Sequence, residues 1–140
     1  MECLVYRRGE AVGTLQMEED GLYRLLTARI PACREILRLY VPESVGVFVP
    51  EGDVLICRRR ISRARLPTLP ACACAWCEAD ALWSSEEDGM RRRYTQEGTQ
   101  IAVRWQTDAP MAFPAAPDRL KPIVIEGAVY LTCLLTYGNQ

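Results

Sequence analysis

The sequence has no histidine, and Lys121 is its only lysine in 140 residues. The missing imidazole removes Ser-His-Asp and Cys-His nucleophiles, His-ligated metals and the commonest general base. Carboxylates, tyrosines and Lys121 are what remain for acid–base work. The carboxylates gather in Glu18-Glu19-Asp20 and Glu86-Glu87-Asp88. Both read as solvated hairpin tips, where no burial is present to raise a carboxylate pKa. Neither has the alternating ligand spacing of a calcium loop. The nine glycines are scattered, so no phosphate-cradling loop is present. No apolar run is long enough for a membrane helix, and the opening MECLVYRRGEAVG lacks the profile of a signal peptide. A net charge of −1 gives no global basic field to gather nucleic acid or anionic lipid. These absences assign no catalytic residue, no metal and no cofactor, and they set the expectation of a cytoplasmic protein without a membrane partner.

What is present is an ordinary globular composition, 49% hydrophobic and 25% charged, which needs neither disulfide nor metal to fold. The seven cysteines are an odd count, expected to stay reduced in the cytosol. Three of them crowd ACACAWCEA (71–79): Cys72, Cys74 and Cys77. Structural zinc wants four ligands. The fourth would have to be Cys57, Cys33, Cys3 or Cys133, all isolated, and the spacers Ala73, Ala75 and Trp76 include no turning residue. Cysteine also serves as a small buried hydrophobe, and the reading here is core filler. As a strand, the segment puts Cys72, Cys74 and Trp76 on one face and Ala73, Ala75 and Cys77 on the other. As a helix, it would pair Cys74 with Cys77 and Ala81. The residues leave open whether 71–83 is strand or short helix.

Period-2 alternation dominates the rest. Residues 11–18 set Ala11, Gly13, Leu15 and Met17 against Val12, Thr14, Gln16 and Glu18. EEDG (18–21) then bends the chain through Asp20-Gly21 into LYRLLTARI, predicting an antiparallel hairpin. EILRLYV (35–41) is confined by Pro31 and Pro42 and read as a strand, SVGVFV (44–49) as another, PEGD (50–53) as a turn and VLICRRRIS (54–62) as a further strand. LPTLP (66–70) breaks the pattern, because prolines cannot donate to a ladder. EEDG recurs at 86–89, which admits a duplicated half or merely shared turn chemistry. Beyond it, Ile101, Val103 and Trp105 form the expected core face, opposed to Ala102, Arg104 and Gln106. Residues 110–122 form a proline-rich loop. In the last run Val129, Leu131, Cys133 and Leu135 face one way, and Tyr130, Thr132 and Thr136 the other. The fold class is mainly β: antiparallel meanders forming a sandwich or partly open barrel, with at most one short helix. The chain is one domain over 1–140, with an N-terminal meander (1–66), a crossover (67–80) and C-terminal strands (81–140).

The sequence DGLYRLLTAR, then LRLYV, VGVFVPEGDVL and RRRIS, with IAV (101–103), AFPA (112–115) and EGAVYL (126–131), resembles small uncharacterised bacterial all-β proteins over most of the chain. That resemblance implies a bacterial cytosolic β protein and carries no site with it.

One charged feature stands out. Residues 51–70 carry a net +3, and 71–90 a net −5. The basic part holds Arg58, Arg60, Arg63 and Arg65, the candidate binding residues. On a strand Arg58 and Arg60 share a face, with Arg59 opposite. Such a stripe pairs with neighbouring carboxylates or a protein partner more readily than with nucleic acid. The expected function is a non-catalytic binding or assembly module, with a protein partner or a homodimer. The alternative is a barrel that holds single-stranded nucleic acid on the Arg-rich strand.

Overall fold

The computed structural model describes residues 1–68, 70–105 and 120–137. Among these are β1 (Glu2–Arg7), β2 (Glu10–Asp20), β3 (Tyr23–Pro31), β4 (Arg38–Tyr40), β5 (Ser44–Val47), β6 (Val49–Glu51), β7 (Val54–Ser62), β8 (Cys72–Trp76), β9 (Met90–Tyr94), β10 (Gly98–Arg104), β11 (Lys121–Ile125) and β12 (Ala128–Thr136). The only helical element among the described residues is a 3-10 turn, Glu78–Ala81. The protein is mainly β. Among the described residues no helix is long and apolar enough to cross a membrane.

Two sheets carry these strands. The first has eight, in the order β5-β4-β8-β1-β2-β3-β7-β6, and the second four, β11-β12-β10-β9. The first is a nearly closed barrel. Its two ends are consecutive in sequence: β5 pairs with β4, β6 pairs with β7, and only Phe48 separates them. The chain bends at Phe48, whose amide donates to the Leu37 carbonyl at 2.9 Å. At the seam between β5 and β7 the Arg59 Nε donates to the Val45 carbonyl at 2.7 Å, in place of a backbone ladder. Arg59 sits on the inward face of β7, and the seam is its way out. Gly46 makes the route possible, since a Cβ there would lie 2.9 Å from two carbons of the Arg59 stem and 3.0 Å from the Cys57 sulfur.

The barrel interior is filled by alternate residues of its strands. Val5, Leu15, Met17, Leu26, Ala28, Ile30, Leu39, Leu55, Cys57 and Ile61 form most of it, joined by Leu37 and Phe48. Burying one such aliphatic or aromatic side chain stabilises the fold by roughly 1.5–3 kcal/mol. Leu15 and Met17 face inward as the alternation predicts. At Gly13 an added Cβ would come within 2.0 Å of the Arg29 carbonyl oxygen, so the strands meet there without a side chain.

Four expectations are corrected. Of residues 35–41 only Arg38–Tyr40 are strand. The N-terminal strands are not a plain meander: β4 leaves its sequence neighbour β3 and pairs with β5 and β8. The stretch expected as crossover supplies β8, which inserts between β4 and β1, parallel to the latter. Residues 72–76 are therefore strand. The second sheet departs from the single expected core face: Ile101 and Cys133 of that face are buried as expected, but Ala102, Tyr130 and Thr132 of the opposite face are buried too. Tyr130 is 1% exposed and Thr132 is buried, whereas Val129 is 45% and Trp105 50% exposed. The core of that sheet is Ala102, Ile125 and Tyr130, with Trp83, Ile123 and Ala128 against it. Gln106 and most of the proline-rich loop lie outside the described residues; its last proline, Pro122, is in β11.

Candidate docking face

The thiols lead away from a site. Cys72, Cys74 and Trp76 share one face of β8, while Ala73 and Ala75 enter the barrel core and Cys77 packs against it. The outward face is covered by the second sheet. There the Cys74 thiol lies 3.9 Å from the Thr95 carbonyl, the Cys72 thiol 3.7 Å from the Tyr137 carbonyl, and the Trp76 indole N–H donates to Tyr94 at 2.8 Å. Tyr6 stacks on Tyr137 with centroids 5.0 Å apart. Burial pushes the Cys74 thiol up to about 12, and the Cys3 thiol up to about 11 with help from Cys72 and Glu2. All seven cysteines are free. Among the described residues no three Cys, Asp or Glu side chains assemble as a metal-holding group. Cys72 and Cys74 pack between one sheet and the other, and Cys57 lies in the barrel core with Cys3, Cys33 and Cys77 against it.

Two polar clusters serve the same end. Asp80, with its side chain wholly buried, accepts from Arg8 Nε at 2.8 Å and from the Cys77 amide at 3.3 Å, and Arg7 Nη2 is 3.7 Å away. Both arginines also approach Glu35, at 3.4 and 3.6 Å. This clamp fastens the 3-10 turn to the barrel. In the second sheet the Tyr130 hydroxyl donates to Glu86 and accepts from Arg91 Nε, and Arg91 continues to Glu126 at 3.0 Å. Every carboxylate in these clusters already faces a fixed cation, an arrangement suited to holding elements together rather than to moving protons.

The outer wall of β2, β3 and β7 is different. Inward alternation of Leu55, Cys57 and Ile61 on β7 forces Arg58 and Arg60 outward. Pairing of β3 with β7 puts Thr27 opposite Arg58, Leu25 opposite Arg60 and Tyr23 opposite Ser62. On the other side of β3, Glu18 faces Leu25 and Asp20 faces Tyr23. The Arg60 guanidinium lies 4.2 Å above the Tyr23 ring and reaches Asp20 at 3.2 Å. Arg58 holds Glu51 through two hydrogen bonds, 2.8 and 3.3 Å, which keep the Glu51 carboxyl below its ordinary range. Tyr23 and Leu25 stay about two-fifths exposed.

Of the four sequence candidates, Arg58 and Arg60 thus stand together on one face. Arg63 is round the hairpin, bound to Glu19 at 3.2 Å and to the Gly21 carbonyl. Arg65 lines a separate groove with Val41, Pro42, Glu43, Val45 and Ile61. Sequence reasoning missed Tyr23 and Leu25. Their signal was the strand alternation of residues 23–31, but nothing in sequence says that β3 lies beside β7, four strands on. No protein-family model matches this chain, and neither a curated protein nor a solved structure does.

Proposed function

We propose that the protein is a non-catalytic assembly module of a bacterial cytoplasm, which docks a second copy of itself through the outer wall of β2, β3 and β7. The observation that carries this reading is the exposed Tyr23–Arg60 stack beside Leu25, bounded by side chains of both signs. Tyrosine and arginine are the residue types on which interface energy concentrates, inside a polar rim. Glu18, Asp20 and Glu51 lie on the same wall as Arg29, Arg58 and Arg60, so the wall offers each charge its opposite when turned on a two-fold axis. Ion pairs this exposed contribute little to the folded chain, so they exchange partners at small cost on docking.

Sedimentation over a wide concentration range tests the proposal. A reversible dimer is expected, weakened at least tenfold by Tyr23→Ala with Leu25→Ser, as loss of central anchors implies. A chain that stays monomeric throughout overturns it. If single-stranded oligonucleotide instead shifts on a gel at low salt and releases steeply as salt rises, the wall binds phosphate and bases.

A further inference from the structure

The barrel mouth next to the β2–β3 hairpin holds a buried cation that no carboxylate engages in an ion pair among the described residues. Arg24 lies on the inward face of β3, in line with Leu26, Ala28 and Ile30, and is only 8% exposed. Its Nη2 donates to the Pro67 carbonyl at 3.2 Å. Its Nε is buried and has no hydrogen-bond partner, and no carboxylate pairs with Arg24 among the described residues. Glu19 faces it across the β2–β3 ladder but is taken by Arg63 at 3.2 Å. Arg24 also lines a cavity of about 450 Å³ with Met1, Met17, Glu18 and Glu19. A buried charge left unpaired is among the costlier arrangements in a protein interior, and it is normally relieved by an anion.

We infer that this mouth is a binding site for an aliphatic monocarboxylate. A planar guanidinium with donors to spare matches a carboxylate, forming two parallel charge-assisted hydrogen bonds. Met17, 5% exposed, and the outer Met1 give the remainder of the ligand an adaptable apolar wall. The cavity is of the size that takes a small organic ligand. Glu18 and Glu19 in the lining repel any anion, a dianion such as phosphate about twice as strongly as a monoanion, so the site favours a single negative charge on a hydrocarbon tail that meets Arg24 and the methionines together.

The test uses octanoate and the neutral octanol as probes, read by calorimetry and by the Met17 methyl resonance. Octanoate is expected to bind with a dissociation constant below about 1 mM, at least tenfold tighter than octanol, and to shift that methyl. Arg24→Gln is expected to remove the tenfold preference for octanoate over octanol. Equal binding of the two probes, or no binding of either to the wild-type chain, overturns the inference. The two-probe comparison on the wild type decides the matter even where Arg24→Gln folds poorly.

Discussion

The two sheets solve the same burial problem in opposite ways. The eight-stranded barrel encloses its apolar residues on one side of nearly every strand, and its outer wall is left to charge. The four-stranded sheet has little enclosed volume. Its largest buried side chain, Tyr130, is held by Glu86 and Arg91 as much as by packing, and its end is fixed to the barrel through Tyr137, Thr95 and Cys74. The barrel is stabilised chiefly by area removed from water, the second sheet by hydrogen bonds and attachment. Truncating an apolar side chain should therefore separate them. Leu39→Ala, fully buried in the barrel, is expected to cost about 4 kcal/mol in urea denaturation, the transfer loss plus the cavity left behind. Ile125→Ala in the second sheet should cost clearly less, because Ile125 lies at the edge of a small cluster. Equal losses would mean that the sheets share one core.

The clamp at Asp80 is the next largest effect. Asp80→Asn keeps the shape but leaves Arg7 and Arg8 facing Glu35 alone. Removing one partner of a buried pair is costly because the other charge remains; Arg8 is half-exposed, so the expected loss is reduced to about 2 kcal/mol by solvent screening. Thermal melts check it. A loss as large as that of Leu39→Ala would shift the barrel's stability from packing toward charge.

Tyr130→Phe comes third. It deletes one hydroxyl that joins Glu86 to Arg91, an expected loss of about 1.5 kcal/mol for a buried bond to charged partners. It also has a pH signature. The Tyr130 hydroxyl, with Arg104 and Arg91, holds the Glu86 carboxyl below its ordinary value of 4.5. The unfolded chain then takes up this proton first as pH falls, so the stabilisation is complete above about pH 4.5 and fades as acid brings the folded carboxyl to its own lowered value. Denaturation midpoints followed from pH 7 to pH 3 should fall less steeply in the variant. Parallel curves would show that Glu86 is held by the arginines alone.

The same contrast explains what could be read from sequence. In the barrel most strands have one wet face, so Leu15 and Met17 announce the core, and the glycine-bearing turns EEDG (18–21) and PEGD (50–53) announce the hairpins. Which strands then become neighbours is a long-range matter: β8 entering between β4 and β1, and β5–β6 closing the seam at Phe48, leave no local trace. Strand β8 is buried on both faces, so ACACA shows no alternation to separate it from a helix. In the second sheet the rule held only in part, with Ile101 and Cys133 buried as expected and residues of the other face buried as well. Tyr130 and Thr132 look polar by residue type, yet their hydroxyls find partners inside, at Glu86 and at the Lys121 carbonyl, while Val129 is left outside. The two EEDG segments show the limit of motif matching. In the first Asp20 still pairs with Tyr23 and the bend is Gly21-Leu22; in the second the bend is Asp88-Gly89 itself, both residues with positive φ. The matching letters are shared turn chemistry one step out of phase, joined to an eight-stranded and a four-stranded sheet, and give no support to a duplicated half. At the docking wall the arginines were legible as a run, but their partners were not. Asp20 and Tyr23 belong to a hairpin about 40 residues before Arg60, while Glu51 meets Arg58 across the β6–β7 hairpin, a register that the residues alone do not set.

The smallest expected effect bears on what the outer wall is for. Arg58→Ala breaks a two-bond pair with Glu51 that looks strong in geometry. Both side chains are about half exposed, so the attraction is screened and offset by the entropy of holding two long side chains. The denaturation midpoint of Arg58→Ala should match that of the wild type, while its self-association weakens, and raising salt should mimic the variant. The opposite pattern, lost stability with dimerisation intact, would make the pair part of the barrel's own framework and remove it from the docking wall. The barrel would then hold its charge on the outside for the same reason that it holds leucine within.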